Sequence, residues 1–469
     1  MKPDEGQNIV VNITSVNSRG EGVARFGEDR FVLFAAGALP GEKIKGRVKK
    51  IKKSYGILEI EEIIEKSPDR RVPSCRWFEQ CGGCSLQHAD YELQCFLKKR
   101  ALQDALMKEL GSDCDYIVDD CVKSPDEWHY RNKASFPVRF DNKKSQYGFF
   151  MRDSHRVIPV DFCPVLQNPL EEAMKDIPKI LEILKWPAYD EKEHLGVLRH
   201  IVLRATKSGN VSFVFVVRSF RQKDEQKKLR DLRSFLNSRG YRSFPSVFVN
   251  VNKKRGNQIF GLRTFHIAGP AFIEERIGNH ILRFGPTSFF QVNPFITEKV
   301  FETAISGFKT GGRVVELYSG VGAMTLPLVG KSSFVHAVES WPEAANFLKE
   351  NLFRSGFTNA SVEGTTAEDF LERVDKDYCE GILLDPPRSG CSRKVIDKLL
   401  FLRPERIVYV SCNPSTLARD LKNLVGDGYK ITRITPFDMF PQTTHVESVA
   451  FLEKNKADIY RIPAFFVHK

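Results

Sequence analysis

The chain has 469 residues, 42% hydrophobic and 28% charged, with 32 Gly and 24 Pro; this length suggests about three domains and excludes a wholly disordered, collagen-like or disulfide-scaffold chain. The formal charge of +12 is uneven: residues 1–66 carry 12 basic and 10 acidic side chains, 67–290 carry 37 and 27, and 291–469 carry 22 and 22. A polyanion partner would therefore be held by the front two-thirds, a basic surface kept for solubility being the alternative.

Near the N-terminus the longest charge-free apolar stretch is Phe31–Pro40, short of the ~18 residues of a membrane helix. MKPDEGQNIV lacks an apolar signal core, so a cytoplasmic protein without membrane spans is expected. Residues 8–63 alternate short strands (IVVNITSVN, GVARF, RFVLF, KIKGRV, YGILEI) with turn signals, the pattern of a small β-barrel. Lys43, Lys45, Arg47, Lys49, Lys50, Lys52 and Lys53 crowd one strand and its turn. A nucleic-acid-binding face and a charged, aggregation-proof edge strand explain them equally well.

Residues 67–89 form a Pro- and Cys-rich loop, and Asp90–Leu110 reads as a helix with an approximate apolar face. Residues 129–286 mix strands (ASFPVRF, HIVLRAT, VSFVFVVRS, SVFVNVN, HILRFG) with a charged helical segment at 221–237. From about 290 strands and helices alternate. RVVEL (313–317), FVHAVE (334–339), GILLD (381–385) and RIVYVSC (406–412) come first, then a strand pair at 430–437 and 446–453. This predicts a doubly wound α/β sheet. Three domains result: a barrel over 1–66, a central α+β domain over 67–289, and an α/β domain over 290–469.

In open α/β sheets ligands bind outside the carboxyl ends of the strands. The first strand runs into E316-L-Y-S-G-V-G, whose Gly320 and Gly322 let the backbone approach a ligand closely. The second ends in Glu339, placed to accept hydrogen bonds from ribose hydroxyls. The third ends in D385-P-P-R and the fourth in S411-C-N-P. The third glycine of the dinucleotide fingerprint is missing and the fourth strand delivers a thiol, which favours S-adenosylmethionine over a nicotinamide. Amino methyltransferases carry an aromatic after Asp-Pro-Pro; Arg388 in that place disfavours an amino target. Phe289, Phe290 and Phe440 lie near this site, where base stacking competes with core packing as their role.

Ten cysteines occupy positions 75, 81, 84, 95, 114, 121, 163, 379, 391 and 412. Cys75, Cys81, Cys84 and Cys163 supply four soft ligands, and by spacing alone zinc and an iron–sulfur cluster compete almost evenly. Cys95, Cys114, Cys121, Cys379 and Cys391 have no partner spacing and read as packing residues.

Several segments together resemble one family. These are ALPGE, P73-S-C, C81-G-G-C-S-L-Q-H, D161-F-C-P, S288-F-F-Q-V-N, E316-L-Y-S-G-V-G, D385-P-P-R, S411-C-N-P-S-T-L-A-R-D and H445-V-E. The chain is similar to the S-adenosylmethionine-dependent RNA 5-methyluridine methyltransferases, in the branch with a TRAM domain and an iron–sulfur cluster. Ser319 and Ala323 depart from it, standing where many members have Cys and some have Asn.

The resemblance implies an OB-like TRAM barrel, a central cluster-containing domain and a Rossmann-like methyltransferase domain. It implies Cys412 as nucleophile, Glu447 as proton acceptor, and Gln291, Tyr318, Glu339 and Asp385 as cofactor contacts beside Gly320 and Gly322. It also implies a [4Fe-4S] cluster on Cys75, Cys81, Cys84 and Cys163, closed by its fourth ligand and so structural. The expected partner is 23S ribosomal RNA, and the expected state a monomer. The same chemistry on tRNA and a non-catalytic RNA-binding assembly factor are the alternatives.

Overall fold

The computed structural model describes residues 2–112, 117–141, 144–426 and 428–455; Cys114 lies outside them. Five strands, β1 (Asn8–Val16), β2 (Glu21–Phe26), β3 (Phe31–Ala36), β4 (Lys43–Ile51) and β5 (Tyr55–Glu65), close into a barrel of order β1-β2-β3-β5-β4. Alternation of apolar and polar residues sends Ile9, Val11, Ile13, Leu33, Ile44, Val48 and Leu58 inward. Closure leaves β4 paired on both sides, which removes the edge-strand explanation of its lysines. Their charge is also partly answered. Lys43 pairs with Glu65 at 3.4 Å, Lys45 with Glu61 at 3.9 Å and Lys49 with Glu59 at 3.4 Å, all across to β5. Exposed pairs of this kind contribute at most about 1 kcal/mol.

Helix α1 (Tyr91–Leu110) starts at the Asp90 cap, whose carboxylate accepts the Leu93 N–H. The central sheet follows: β6 (Lys133–Asp141), β7 (Lys144–Phe150), β8 (Val157–Pro159), helix α2 (Asn168–Leu184), β9 (Leu198–Ala205), β10 (Val211–Val217), helix α3 (Gln226–Asn237), β11 (Ser246–Val251) and β12 (Arg263–Ala268). Its order is β12-β11-β10-β9-β6-β7-β8, and only β10 and β11 run parallel. One face packs on α2 and α3 through Phe136, Ile201, Leu203, Phe213, Met174, Ile177 and Leu232. The hairpin β13 (Ile273–Ile277) and β14 (His280–Phe284) comes next.

The C-terminal layer holds α4 (Pro294–Ser306), β15 (Arg313–Leu317), α5 (Thr325–Val329), β16 (Phe334–Val338), α6 (Pro342–Arg354), β17 (Ala360–Glu363), α7 (Ala367–Leu371), β18 (Gly381–Leu384), α8 (Arg393–Leu402), β19 (Arg406–Ser411), α9 (Pro414–Gly426), β20 (Tyr429–Phe437) and β21 (Glu447–Lys454). The order is β17-β16-β15-β18-β19-β21-β20, parallel through β19, with β21 reversed between β19 and β20. Both faces are covered, as a parallel sheet requires.

Two pieces of the 67–289 stretch pack into this C-terminal layer. Leu102 and Leu106 of α1 join the core beneath α9, and Ile273, Leu282 and Phe284 of the hairpin join the core on the other face. Val118 and Val122 also bridge to Ile434 and Phe437 of β20. Among the described residues no helix is long and apolar enough to cross a membrane.

Candidate active site

The carboxyl ends of β15, β16, β18 and β19 bring the expected residues to one edge of the sheet. After β15 the chain turns sharply: Tyr318, Gly320 and Gly322 have φ of +64°, +56° and +93°. A Cβ on Gly322 would lie 2.3 Å from Leu348 Cδ1, while one on Gly320 meets nothing within 4 Å, so the turn is packed beneath and open above. Glu339 accepts the Gly320 N–H at 2.8 Å and the Trp341 N–H at 2.6 Å. A carboxylate has about four acceptor sites, so two remain for a diol. Among the described residues Ser319 Oγ is buried without a hydrogen-bond partner, and the Glu316 carboxyl is fully buried with the Thr325 hydroxyl beside it. Burial, followed by the charges of Asp385 and Glu339, pushes the Glu316 carboxyl up to about 8. The open space above the turn and the free acceptor sites of Glu339 fit a polar ligand such as S-adenosylmethionine. The Tyr318 ring packs toward Cys391 and the core beneath α8. Gln291 is buried, and its carbonyl accepts from Asn132 Nδ2 at 3.1 Å.

Cys412 follows β19, Glu447 opens the neighbouring β21, and Asp385 follows β18. The Cys412 thiol is pushed up to about 11 by burial and by the charges of Glu447 and Asp385, and is held back by Arg388, which also hydrogen-bonds it. Burial raises Asp385 to about 7, and burial with the Asp385 charge raises Glu447 well above the carboxylate range. The two carboxyl groups repel, so the resting site retains a proton. Arg388 thus acts on the Cys412 thiol, a contact not visible in the sequence, where Arg388 served only to disfavour an amino target. Alkylation of Cys412 by iodoacetamide, followed by peptide mass spectrometry, should quicken about tenfold per pH unit between pH 7 and 10. Arg388→Met should slow it at every pH in that range; a plateau below pH 8 would contradict this account.

The remaining residues of S411-C-N-P-S-T-L-A-R-D hold Arg388 in place. Asn413 Nδ2 and Thr416 Oγ1 donate to the Arg388 carbonyl at 2.9 and 3.2 Å. Arg419 donates to the carbonyls of Ser389 and Cys391 at 3.0 and 3.2 Å, and Asp420 accepts the Cys391 N–H at 2.8 Å. The motif is therefore a clamp on the 385–391 loop as well as the carrier of the Cys412 thiol.

Loop 438–446, which delivers Glu447, is gripped from the front of the chain. Lys98 of α1 and Asp438 form an ion pair with both side chains fully buried, and Lys98 Nζ also donates to the Phe440 carbonyl at 3.0 Å. Gln442, at φ +69°, accepts the N–H groups of Ser85 and Leu86 on its carbonyl at 2.9 and 3.0 Å and donates its own to Gln94 at 2.8 Å. Tyr130 donates to the Pro441 carbonyl at 3.0 Å, and Thr444 to Ser18 of the barrel at 2.7 Å. Of these gripping residues only Ser85 and Leu86 fall in a motif singled out from the sequence, C81-G-G-C-S-L-Q-H.

Beside this loop lies a cavity of about 320 Å3 lined by Cys75, Cys81, Cys84 and Cys163, and also by Arg131, Arg388 and His445. Burial, reinforced by the neighbouring cysteines, pushes the Cys84 thiol up to about 12 and raises Cys81 and Cys163. Among the described residues no three His, Cys, Asp or Glu side chains stand in metal-holding geometry. The shared cavity and soft donors nonetheless suit a thiophilic group. Cys95 and Cys121, which spacing leaves unpartnered, hydrogen-bond each other. His445 is kept neutral, pushed down to about 4 by burial and by Arg388, Lys98 and Arg131. Phe290 is core, stacked on Phe284 at 4.9 Å, whereas Phe289 is 69% exposed and Phe440 lines the cavity.

Numbered from β15, the sheet order is 3-2-1-4-5-7-6 with the seventh strand reversed. With a glycine turn after the first strand and an acid after the second, this is the arrangement of a Rossmann-like methyltransferase. Comparisons specify it further. The family model of the tRNA (uracil-5-)-methyltransferases matches residues 90–455. Uncharacterised RNA methyltransferases of Gloeobacter violaceus and Halalkalibacterium halodurans are 35% and 36% identical over 455 residues, covering 96% and 95% of this chain and 97% and 96% of theirs. The Pyrococcus abyssi tRNA (uracil-54, C5)-methyltransferase, solved with S-adenosyl-L-homocysteine, matches with a TM-score of 0.72 at 26% identity, over 95% of this chain and all of that one. The chain belongs to the tRNA (uracil-5-)-methyltransferase family, and it is an RNA uracil-5 methyltransferase that uses S-adenosylmethionine.

Proposed function

We propose that the enzyme methylates C5 of a specific uridine in 23S ribosomal RNA through a covalent adduct on Cys412. The observation that carries this reading is the convergence of Cys412, Glu447, Asp385 and Arg388, each felt electrostatically by the thiol. Gln291, Tyr318, Gly320, Gly322, Glu339 and Asp385 would hold S-adenosylmethionine, which would supply an electrophilic sulfonium methyl group.

The Cys412 thiolate adds to C6 of uracil, and the displaced electron pair makes C5 nucleophilic enough to take that methyl group. Arg388 favours the thiolate. Forming the neutral thioether removes a negative charge beside Glu447, which favours its ionised form. Burial makes that carboxylate a stronger base, and it accepts the C5 proton. The C5 electrons re-form the C5=C6 bond as the C6–S bond breaks, returning the thiolate. Asp385, whose charge reaches both Cys412 and Glu447, serves either the uracil edge or the cofactor in this reading. The base must leave its stack to enter this site.

The four cysteines hold a structural [4Fe-4S] cluster in this reading, supported by their common cavity next to the catalytic loop. Iron and sulfide analysis of anaerobically purified protein decides between the cluster and zinc.

Methylation of tRNA is the second reading, favoured by the neighbour from Pyrococcus abyssi. Nucleoside mass spectrometry of RNA fractions from a deletion strain separates the two. Loss of 5-methyluridine from 23S rRNA is the expected result, loss from tRNA alone supports the second reading, and loss from neither overturns both.

A further inference from the structure

The register of β6 on β9 sets Lys133 directly opposite Arg204. Across β9 and β10 Arg204 stands opposite Ser212, and across β10 and β11 Ser212 stands opposite Ser246. Directly opposed residues share one face of a sheet. A row of donors therefore crosses four strands: ammonium, guanidinium, hydroxyl, hydroxyl. The row lies on the face away from α2 and α3, whose core takes the next residues along, Ala134, Leu203, Phe213 and Val247.

Two cations opposed in this way repel, which weakens a ladder. No carboxylate answers them: among the described residues neither Lys133 nor Arg204 forms an ion pair. Glu275, within electrostatic reach of Arg204, already accepts the N–H groups of Lys207, at 3.2 and 3.1 Å, and of Arg276, at 3.1 Å.

Arg204 is 4% exposed. Its Nη2 donates to the Ser288 carbonyl at 3.1 Å and its plane lies over Phe284, yet among the described residues its Nη1 is buried with no partner. Ser212 Oγ is also buried and unpartnered, as is Ser135 Oγ two residues along β6 from Lys133. Lys133 lies over the Phe260 ring, and burial beside Arg204 and Arg131 pulls its ammonium down to about 7. Buried donors are normally satisfied, and a cluster of unsatisfied ones around unpaired cations is complementary to an anion.

The position of the row indicates which anion. Arg131 and Ser135 line the same cavity as Arg388, which touches the nucleophile. Ser288, held by Arg204, immediately precedes exposed Phe289. We infer that Lys133, backed by the buried Arg204 and Ser212, binds a phosphodiester of the RNA next to the nucleotide that enters the active site. This rests on the RNA-methylating activity of the same site. Turning a base out of its stack swings the backbone around it, and a fixed neighbouring phosphate sets where that swing ends.

The test uses the full-length enzyme and an RNA fragment that it methylates, with a neutral methylphosphonate placed at each linkage in turn. Lys133→Met should raise KM for the RNA about tenfold while kcat stays within twofold. Its log–log salt dependence of binding should flatten by about 0.7, the value of one single-strand phosphate contact. Lys133→Arg should restore both. At one linkage the methylphosphonate should weaken the wild type about tenfold and leave Lys133→Met unchanged. Wild-type KM and salt slope in Lys133→Met, a lost kcat at saturating RNA, or the absence of any such linkage would each overturn the inference. Failure of the wild type to methylate any uridine would instead overturn the activity beneath it.

Discussion

Cys412→Ala is expected to remove both methylation and the covalent RNA complex, with a rate loss of roughly 10^4 or more, because no other group in the site can add to C6. Glu447→Gln should behave differently. The thiol and the methyl donor remain, so the adduct should form and then persist, its release slowed by roughly 10²–10⁴ as expected for loss of a positioned base. A denaturing gel resolves the two, with a shifted protein–RNA band absent from the first variant and accumulating in the second. Turnover by Cys412→Ala within tenfold of the wild type, or no band with Glu447→Gln, would refute the adduct mechanism. Such an outcome would leave the family assignment intact, since that stands on the comparisons.

Lys98→Met should destabilise the protein by about 3–5 kcal/mol, because it strands the fully buried Asp438 carboxylate. Asp438 Oδ1 is met by Lys98 and by the Phe440 N–H at 3.2 Å. The double variant Lys98→Met with Asp438→Leu should recover much of the loss, because it removes both charges together. Denaturant titration checks this. A single variant with an unchanged midpoint would mean that water reaches the pair. Lost stability should be accompanied by slower turnover, because the same lysine anchors the loop leading to Glu447.

Much of the catalytic edge was legible because its chemistry is local in sequence. A glycine turn, an Asp-Pro-Pro corner and a thiol each sit at the end of an apolar strand, and strand ends of a parallel sheet share one edge. The missed pieces have weaker or conflicting local signals. β17 reads ASVE, a short half-buried edge strand with no apolar run. α2 has a clear helical stripe in Leu170, Ala173, Met174, Ile177, Ile180 and Leu184, but Pro178 lies inside it.

The basic run of β4 was visible, whereas the glutamates that face it follow from strand register, which composition does not contain. Phe289 and Phe290 show the same limit. Adjacent residues of one type point opposite ways, one into the core and one outward. The grip of Lys98, Gln94 and Ser85 on the 438–446 loop spans more than three hundred residues, beyond any local pattern.

That span also fixes the order in which the enzyme can become active during synthesis. The barrel, the cysteine loop and α1 leave the ribosome long before the segment they must hold. In the mechanism proposed above, the pocket holds its nucleophile without its base until β21 arrives, and Lys98 has no counter-charge until Asp438 does. A nascent or truncated chain ending before residue 447 would therefore be catalytically silent toward any RNA it meets, including the ribosome that is making it.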